Sequence, residues 1–332
     1  MNYNLNSGYG LAESLRLHLN LPVMGKVHFV IPTADANYNR INDIYHGGTD
    51  PDGSPRIHTT LALAYTEMAL VNNAHDVMAL SANAGHAVAT AGLVITRNRM
   101  HIVGMDGGNR RFGSRSRVTG AATVTEVGIV HNTGVGNTFR NLKFDSASTV
   151  AASIYAVAEG GEYSYYKNCE FYKSTDLDQT GAAELLMNGD SCRFENCTFG
   201  SLVNAISGAI LRPCVLLTRE TITGKACRDS EFIDCLFWRK CGDTGNRFIY
   251  GANANDVERM LLFERCIFVN AKLGTAVPAQ NVAFGATQTE GEVLLKDCSS
   301  MNAATAMSTT TGVFVDSPVP TAGTSGISVQ AT

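Results

Sequence analysis

The stretch RFENCTF at 193–199 decides the fold, because the chain repeats this seven-residue phrase five more times. The other copies are TFRNLKF (138–144), YYKNCEF (165–171), EFIDCLF (231–237), LFERCIF (262–268) and LLKDCSS (294–300). Their spacing of roughly 30 residues is typical of stacked supersecondary units. Each copy alternates like a short strand and lacks the spacing of helical repeats, so the phrase predicts a β solenoid.

The fifth and seventh positions of the phrase are expected to face the interior, because residues two apart lie on one face of a strand. They hold Leu142, Cys169, Cys197, Cys235, Cys266 and Cys298, and then Phe144, Phe171, Phe199, Phe237, Phe268 and Ser300. The fourth position is predicted to lie at a bend, where Asn or Asp side chains cap backbone groups. It holds Asn141, Asn168, Asn196, Asp234, Arg265 and Asp297.

Apolar runs before each phrase support the solenoid. They are GIV (128–130), SIYAV (153–157), ELLM (184–187), VLL (215–217), RFIY (247–250) and VAF (282–284). Turn-rich pieces separate runs from phrases, so each coil is predicted to be strand, turn, strand and variable loop. We expect MHIVGM (100–105) to be a weak copy with Met100, Val103 and Met105 in register, and GVFV (312–315) to begin a further coil.

Over about residues 76–316 the chain resembles the right-handed parallel β-helix (pectate-lyase-like) superfamily. The segments before the phrases fit this resemblance: TTLALAYTEMALVNN (59–73), with a threonine N-cap candidate, then HDVMALSAN (75–83) and GLVITRNRMHIVGMDGG (92–108). The resemblance implies an all-β fold, a right-handed parallel β-helix solenoid with an N-terminal capping helix and extended terminal arms. We divide the chain into an arm (1–25), a strand, loop and capping helix (26–75), the β-helix (76–316) and an extended C-terminal segment (317–332).

The stacked cysteines are predicted to be packing residues, since a small thiol suits a narrow interior. Zinc is the alternative, but zinc sites need clustered cysteines or histidines at short spacing. No histidine lies three to five residues from a cysteine. Cys192 and Cys197 should face opposite sides of a strand, and one of Cys214, Cys227 and Cys241 could be surface-exposed. We expect reduced thiols, no metal and no cofactor, with disulfides between coils as the alternative.

The chain lacks the motifs of pectin-active relatives, which need paired aspartates near Gly-His-Gly or a calcium-binding carboxylate cluster with a basic residue. The acidic candidates all lie in predicted loops: Asp176, Asp178, Asp243, Asp256 and Glu258. Glycoside hydrolysis needs two carboxyl groups about 5–9.5 Å apart. The sequence leaves open whether these loops converge. We expect solvated loop acids, no catalytic residues and no enzyme, while a polysaccharide lyase or hydrolase stays the alternative.

Two features are candidates for binding a partner. The first is the loop NRRFGSRSR (109–117), which carries Arg110, Arg111, Phe112, Arg115 and Arg117. Arginine forks suit carboxylate, phosphate or sulfate groups, although a solvated loop explains the same residues. The second is Trp238, the single tryptophan, which follows the phenylalanine column and should therefore face outward. It could contact a glycan or a subunit, or pack against a loop.

Charge and composition exclude several classes of protein. The 332 residues carry a net charge of −4, which gives no reason to expect nucleic-acid binding. The first 26 residues lack a signal-peptide pattern, and no apolar run approaches a membrane span of ~20 residues. Residues 301–332 contain Asp316 as their only charged side chain. We expect them to form a last coil and a segment that covers the open end or pairs with another subunit.

This combination resembles the virion proteins of tailed bacteriophages. The resemblance implies a non-enzymatic capsid decoration, cement or head-fibre protein on the capsid surface, made in the bacterial cytoplasm. Its expected partners are the major capsid protein or other virion proteins, and copies of itself in a homotrimer. The alternative is a tailspike-type receptor-binding protein that binds or cleaves host surface polysaccharide. No membrane or nucleic-acid partner is expected.

Overall fold

A computed structural model describes residues 25–36, 38–40, 55–68, 75–105, 116–150, 154–174, 181–206, 211–220, 224–242, 244–271, 280–301 and 307–317. The fold is nearly all β, with three long parallel sheets of 11, 8 and 7 strands that run along one solenoid axis. This confirms the predicted parallel β-helix. Within the described residues, no helix is long and apolar enough to span a membrane.

Each sheet takes one strand from nearly every coil. Sheet 1 stacks β2 (Ile57–His58), β1 (Val27–Val30), β3 (Val77–Leu80), β6 (His101–Gly104), β9 (Thr138–Arg140), β12 (Tyr165–Lys167), β15 (Arg193–Glu195), β18 (Ser230–Ile233), β21 (Met260–Glu264), β24 (Glu292–Lys296) and β26 (Val313–Asp316). Sheet 2 stacks β4 (Gly85–Val88), β7 (Ser116–Gly120), β10 (Leu142–Ser146), β13 (Glu170–Lys173), β16 (Thr198–Ile206), β19 (Leu236–Cys241), β22 (Ile267–Asn270) and β25 (Ser299–Met301). Sheet 3 stacks β5 (Leu93–Ile95), β8 (Gly128–Asn132), β11 (Tyr155–Glu159), β14 (Ala183–Met187), β17 (Val215–Leu217), β20 (Ile249–Gly251) and β23 (Val282–Phe284).

A complete coil has three strands, one more than the sequence predicted. The seven-residue phrase is two strands, because its fourth residue adopts a left-handed conformation and turns the chain from sheet 1 to sheet 2. The residues at this bend have φ between 51° and 55°: Asn141, Asn168, Asn196, Asp234, Arg265 and Asp297. Asparagine and aspartate tolerate this conformation better than most residues. At the first bends the amides also stack, since Asn168 Nδ2 donates to Asn141 Oδ1 at 3.1 Å and Asn196 Nδ2 donates to Asn168 Oδ1 at 2.6 Å.

Two aromatic stacks fill the interior on either side of this bend. The first joins Phe139, Tyr166, Phe194, Phe232 and Phe263, whose neighbouring ring centroids lie 4.4–4.8 Å apart. The second joins Phe144, Phe171, Phe199, Phe237 and Phe268, at 4.6–5.3 Å. One ring per coil in each stack fixes the register of neighbouring coils, because offset stacking and burial of the rings both favour it.

The cysteine column lies between the two stacks, and Leu142 occupies the same column one coil earlier. All six side chains are fully buried. Each thiol donates to backbone carbonyls, as Cys197 does to Tyr166 O at 3.6 Å and to Glu195 O at 3.4 Å. Burial raises the pKa of the Cys197, Cys235 and Cys266 thiols well above the usual range. These thiols are therefore poor nucleophiles and poor metal ligands at neutral pH.

Helix α1 (Leu61–Met68) caps the first coil, as the resemblance implied. Thr60 is its N-cap, because its Oγ1 accepts a hydrogen bond from the Leu63 N–H at 3.2 Å. Leu61, Ala64 and Met68 are buried in the same core cluster as the inner residues of β1 and β3. The helix thereby shields the first open end of the interior from water.

Several local predictions are wrong. The predicted register of MHIVGM is wrong, since Ile102 and not Met100 pairs with Phe139. The outer face of this first coil is also apolar, so the alternation of apolar residues does not mark the inward face. The run GVFV lies in sheet 1, as β26, and does not begin a coil in sheet 3. Cys192 faces the core like Cys197. The remaining cysteines are likewise buried and form no disulfide, so none is on the surface: Cys214, Cys227 and Cys241.

Candidate functional site

The described loop acids are structural. Asp256 is completely buried, and its carboxylate accepts hydrogen bonds from the backbone N–H groups of Arg219 at 3.0 Å and Asn253 at 2.8 Å. Glu258 lies 3.5 Å from Arg228, which also binds Asp190 through two nitrogens. Both acids therefore hold the turns between sheets 3 and 1. Asp176, Asp178 and Asp243 lie outside the described residues.

The outer face of sheet 3 is apolar along most of its length. Successive strands present Ala158, Leu186, Leu216, Tyr250 and Ala283 in register. The exception is His131, whose Nδ1 lies 3.2 Å from Glu126. In the described part of the chain, no group of three or more His, Cys, Asp or Glu side chains is placed to hold a metal ion.

Of the arginine loop at 109–117, the structure describes Ser116 and Arg117. Arg117 lies on β7, is exposed, and pairs in register with Gly85 on one side and Lys143 on the other. Arg110, Arg111, Phe112 and Arg115 lie outside the described residues. Arg117 and Lys143 are adjacent cations on the outer face of sheet 2, although Lys143 also forms an ion pair with Glu170 at 3.1 Å.

Trp238 lies on the outer face of sheet 2 and is partly exposed. Its neighbours in register are Gly200 and Val269, so a flat, apolar stretch surrounds the ring. The indole Nε1 is buried and has no hydrogen-bond partner among the described residues. Ile267 and Met301, each 36% exposed, continue the apolar stretch toward the end of the solenoid.

A second apolar surface lies on the outer face of sheet 1, and the sequence did not predict it. Met260, Leu262, Leu294 and Phe314 form this C-terminal apolar face on β21, β24 and β26. Phe314 is 52% exposed and Met260 is 45% exposed. Both line a shallow groove together with Glu292 and Leu294. The signal was present in MLLFE and EVLLK, where more apolar residues occur than one face of a strand can bury.

An ion-paired ridge separates the two apolar surfaces at the bend between sheets 1 and 2. Arg265 binds Asp234 through two nitrogens, at 2.8 and 3.1 Å. Glu264 accepts from both Arg265 and Lys296, at 2.7 and 3.1 Å. The last coils therefore present two apolar surfaces that flank a charged ridge, an arrangement typical of surfaces that bind proteins.

Several charged side chains are buried in the solenoid, among them Glu159, Glu184 and Arg239. Glu159 is fully buried and accepts hydrogen bonds from Asn132 Nδ2, the Gly161 N–H and the Tyr166 hydroxyl. Burial raises the pKa of Glu159 to about 7, against the effect of these donors. Glu184 and Arg239 form a bidentate ion pair at 2.7 and 2.5 Å, with side chains 2% and 4% exposed. These buried charges could not be identified from the sequence, because they share their residue types with solvated charges.

Comparisons with known proteins agree on the fold and leave the function open. No protein-family model and no curated protein matches the chain. Among solved structures, pectate lyase Pel9A is similar with 14% identity and a TM-score of 0.54, covering 89% of this chain and 69% of that chain. A pectin methylesterase from Aspergillus niger is similar with 11% identity and a TM-score of 0.52, covering 87% of this chain and 83% of that chain.

A protein of Geobacillus virus E2, ORF18, also matches, with 10% identity and a TM-score of 0.31 over 82% of this chain and 75% of that one. A TM-score this low does not establish a shared fold. The chain thus has the parallel β-helix fold of pectate-lyase-like proteins, a scaffold that hosts many functions.

Proposed function

We propose that this chain is a non-enzymatic structural protein of a bacteriophage virion, which binds the capsid surface and decorates or stabilises the shell. The C-terminal apolar face is the observation that carries this proposal. Contiguous apolar side chains that stay exposed on a strand surface can mark contacts with other proteins. Here the exposed side chains lie on rigid strands, which suits a permanent contact in an assembly.

The state of the acidic residues supports a structural role. The Asp256 carboxylate accepts two backbone hydrogen bonds, and the Glu258 carboxylate forms an ion pair with Arg228. Catalysis of glycoside cleavage requires carboxyl groups that face substrate across a cleft. Asp256 and Glu258 instead tie successive turns together, as expected of a rigid scaffold.

The copy number per particle tests the proposal. Purified virions are analysed by quantitative mass spectrometry against the major capsid protein. We expect a copy number of the same order as that of the capsid protein, because decoration follows the head lattice. A much smaller number would place the chain on the tail, and absence from the particle would overturn the proposal.

A matched pair of variants tests the contact surface. Phe314→Asp places a charge on the C-terminal apolar face, whereas Tyr163→Asp alters another exposed aromatic residue, 62% exposed, in a turn outside that face. Purified variants are added to particles that lack the protein. We expect Phe314→Asp to abolish retention on the particle and Tyr163→Asp to bind like the unaltered chain. Equal binding by both would show that another surface makes the contact.

Trp238 supports a second candidate function, that of a tailspike-type protein that binds host surface polysaccharide. Its ring is partly exposed and flanked by Gly200, so a sugar could stack on the ring. Tryptophan fluorescence reports this directly, since the chain has a single tryptophan. A saturable shift with host polysaccharide, together with a loss of binding in Trp238→Leu when binding is measured by calorimetry, would support this candidate over the decoration role.

A further inference from the structure

The histidines of the chain are concentrated at its N-terminal end. All eight lie before residue 132, and residues 132–332 contain none. Five of the six that the structure describes lie on or next to strands of the first coils, and we call them the histidine cluster: His28, His58, His75, His86 and His101. All but His75 are buried. Histidine is the side chain whose ordinary pKa lies near neutral pH, so a mild fall in pH adds positive charge mainly at this end of the solenoid.

The first pair of the cluster lies in the interior. His28 Nδ1 and His58 Nε2 are 3.0 Å apart, and the ring centroids are 5.2 Å apart. Both rings share the inner face with Val30, because His58 pairs with Val30 in register and His28 lies two residues before it. Burial lowers the pKa of His58, although Glu67 of helix α1 and the Pro55 carbonyl act in the opposite direction.

The second pair lies just before β3 and at the start of β6. His75 Nδ1 and His101 Nε2 are 3.3 Å apart, and the rings stack with centroids 5.6 Å apart. Burial lowers the pKa of His101 to about 4, and the neighbouring His75 and Arg140 lower it further. Burial and Arg99 likewise lower the pKa of His75, whereas Asp76 raises it. Two cationic side chains thus face this pair, against one acid.

The fifth histidine, His86 on β4, faces the interior in register with Val118. Its Nε2 donates to Ser81 O at 2.8 Å, because a carbonyl oxygen can only accept. Nδ1 is therefore the lone-pair nitrogen of the neutral ring, and this atom is buried without a hydrogen-bond partner among the described residues. Burial lowers the pKa of His86, and the charge of Asp35 acts against that effect.

This arrangement requires neutral rings. A neutral imidazole has one donor and one acceptor nitrogen, whereas a charged one has two donors. A pair with both rings charged therefore sets two N–H groups against each other. A charged His86 places a new N–H in a buried position, and a buried charge is costly unless it is paired. The same rings meet water when the first coils open, so acid favours the open state.

We propose that the histidine cluster makes the N-terminal cap acid-sensitive, so that in mild acid helix α1 and the strands from β1 to β6 open while the coils from β9 onward stay closed. Partial opening is possible because each coil of a solenoid contacts mainly its nearest neighbours. Opening exposes the buried residues of α1, Leu61, Ala64 and Met68, together with the inner residues of the first strands. Acid thereby presents an apolar surface at one end of a scaffold that is otherwise closed.

Acid should act in opposite directions on the two halves of the solenoid. The histidines bind protons more tightly in the open state, so their contribution to stability is complete above pH 6.5 and is lost as the pH falls, toward about 4 for His101. Glu159 on β11 has a raised pKa, so its coil gains stability as the pH falls. The pKa of Asp76 is raised by burial as well, and this single acid works against the histidines.

Hydrogen exchange of the full chain at pH 7.5 and pH 5 tests the proposal, after correction for the intrinsic pH dependence of exchange. The Val77 and Ser81 N–H groups donate to Lys26 O and Val30 O of β1 and its start, whereas the Glu231 N–H donates to Cys192 O in a later coil. At pH 5 the medium is still above 4.5, the ordinary pKa of Glu195, whose pKa is lowered in the fold. We expect protection at Val77 and Ser81 to fall about tenfold or more at pH 5, and protection at Glu231 to change less than about twofold. Equal changes at the three amides, or no change at Val77 and Ser81, would overturn the proposal.

A matched pair of variants assigns the effect to the cluster. His101→Gln cannot become charged, and His131→Gln makes the same change at the described histidine outside the cluster, whose side chain is 30% exposed. We expect His101→Gln to reduce the acid-induced loss of protection about fivefold or more, and His131→Gln to leave it unchanged. His75→Gln, at the less buried ring of the same pair, gives a second reading if His101→Gln folds poorly. The same loss in all variants would show that acid acts through other groups. These experiments use the isolated chain, so their outcome does not depend on the proposed virion function.

Discussion

The outer face of sheet 1 differs between the middle coils and the last coils. On β12, β15 and β18 it is charged: Lys167 lies 2.6 Å from Glu195, and Arg193 lies 3.1 Å from Glu231. One column of this face runs through Arg193, Glu231, Leu262, Leu294 and Phe314 on successive strands. The column therefore changes from charged to apolar between β18 and β21.

The interior does not change at that point. Ring centroids lie 4.6 Å apart between Phe194 and Phe232, and 4.8 Å apart between Phe232 and Phe263. The same stack thus supports a charged exterior and an apolar one. The buried columns therefore stabilise the fold, and the residues of the outer faces can vary and contact other molecules.

The largest expected effect comes from breaking the shared interior. Phe199→Ala removes a ring stacked between Phe171 and Phe237, at 4.6 and 5.0 Å, and leaves a cavity. We expect the free energy of unfolding to fall by about 3–5 kcal/mol. Phe314→Ala, the same substitution on the C-terminal apolar face, should change it by less than ~0.5 kcal/mol. Denaturant unfolding measures both, and equal losses would contradict the division between interior and exterior.

The buried columns could be predicted because each coil repeats them. Cys169 and Phe171 recur with their neighbours at fixed separation, and variable loops leave that separation unchanged. The number of strands per coil could not be read in the same way. The bend at Asn168 occupies one residue, so two strands on two sheets look like one alternating strand in the sequence.

The C-terminal apolar face could not be predicted for a related reason. In β21, Leu261 and Phe263 face inward while Met260 and Leu262 face outward, so apolar residues occupy both sides of the strand. Alternation assigns a face only when the other face is polar.

The buried charges could not be predicted for a different reason. Glu184 lies on a strand that is otherwise apolar, and its partner Arg239 is 55 residues away.

The second effect compares an ion pair inside the solenoid with ion pairs on its surface. Arg239→Met removes the bidentate partner of the buried Glu184 carboxylate, and we expect a loss of about 3 kcal/mol. Glu184→Leu/Arg239→Met removes both charges and should recover most of that loss. Denaturant unfolding of the single and double variants measures the coupling. A double variant as unstable as the single one would mean that packing, and not charge, holds this site.

The third effect concerns another buried charge, Glu159. Burial raises the pKa of Glu159 from 4.5 to about 7, so the folded chain binds this proton more tightly than the unfolded chain. The stability that this group contributes is therefore complete below pH 4.5 and is lost as the pH rises to about 7, at no more than ~1.4 kcal/mol per pH unit. Glu159→Gln cannot titrate. We expect the difference in unfolding free energy between the two proteins to grow in favour of Glu159→Gln across this window and to stay constant above it. A difference that is flat between pH 4.5 and 7 would place the titration elsewhere.

The smallest effect is expected on the charged exterior of the middle coils. Arg193→Met breaks a contact between side chains that are 47% and 34% exposed, and exposed pairs of this kind contribute about 0.2–1 kcal/mol. Because salt screens such pairs, the loss should shrink further when unfolding is measured at ~1 M salt, where the screening length is about 3 Å. If Arg193→Met cost as much as Arg239→Met, the charged ladder would hold the coils together, and the apolar exterior of the last coils would then be a weakness of the fold instead of a surface for a partner. A small, salt-dependent loss would show that the fold does not depend on the outer residues of the middle coils. The outer residues of the two regions could then differ without a cost to stability.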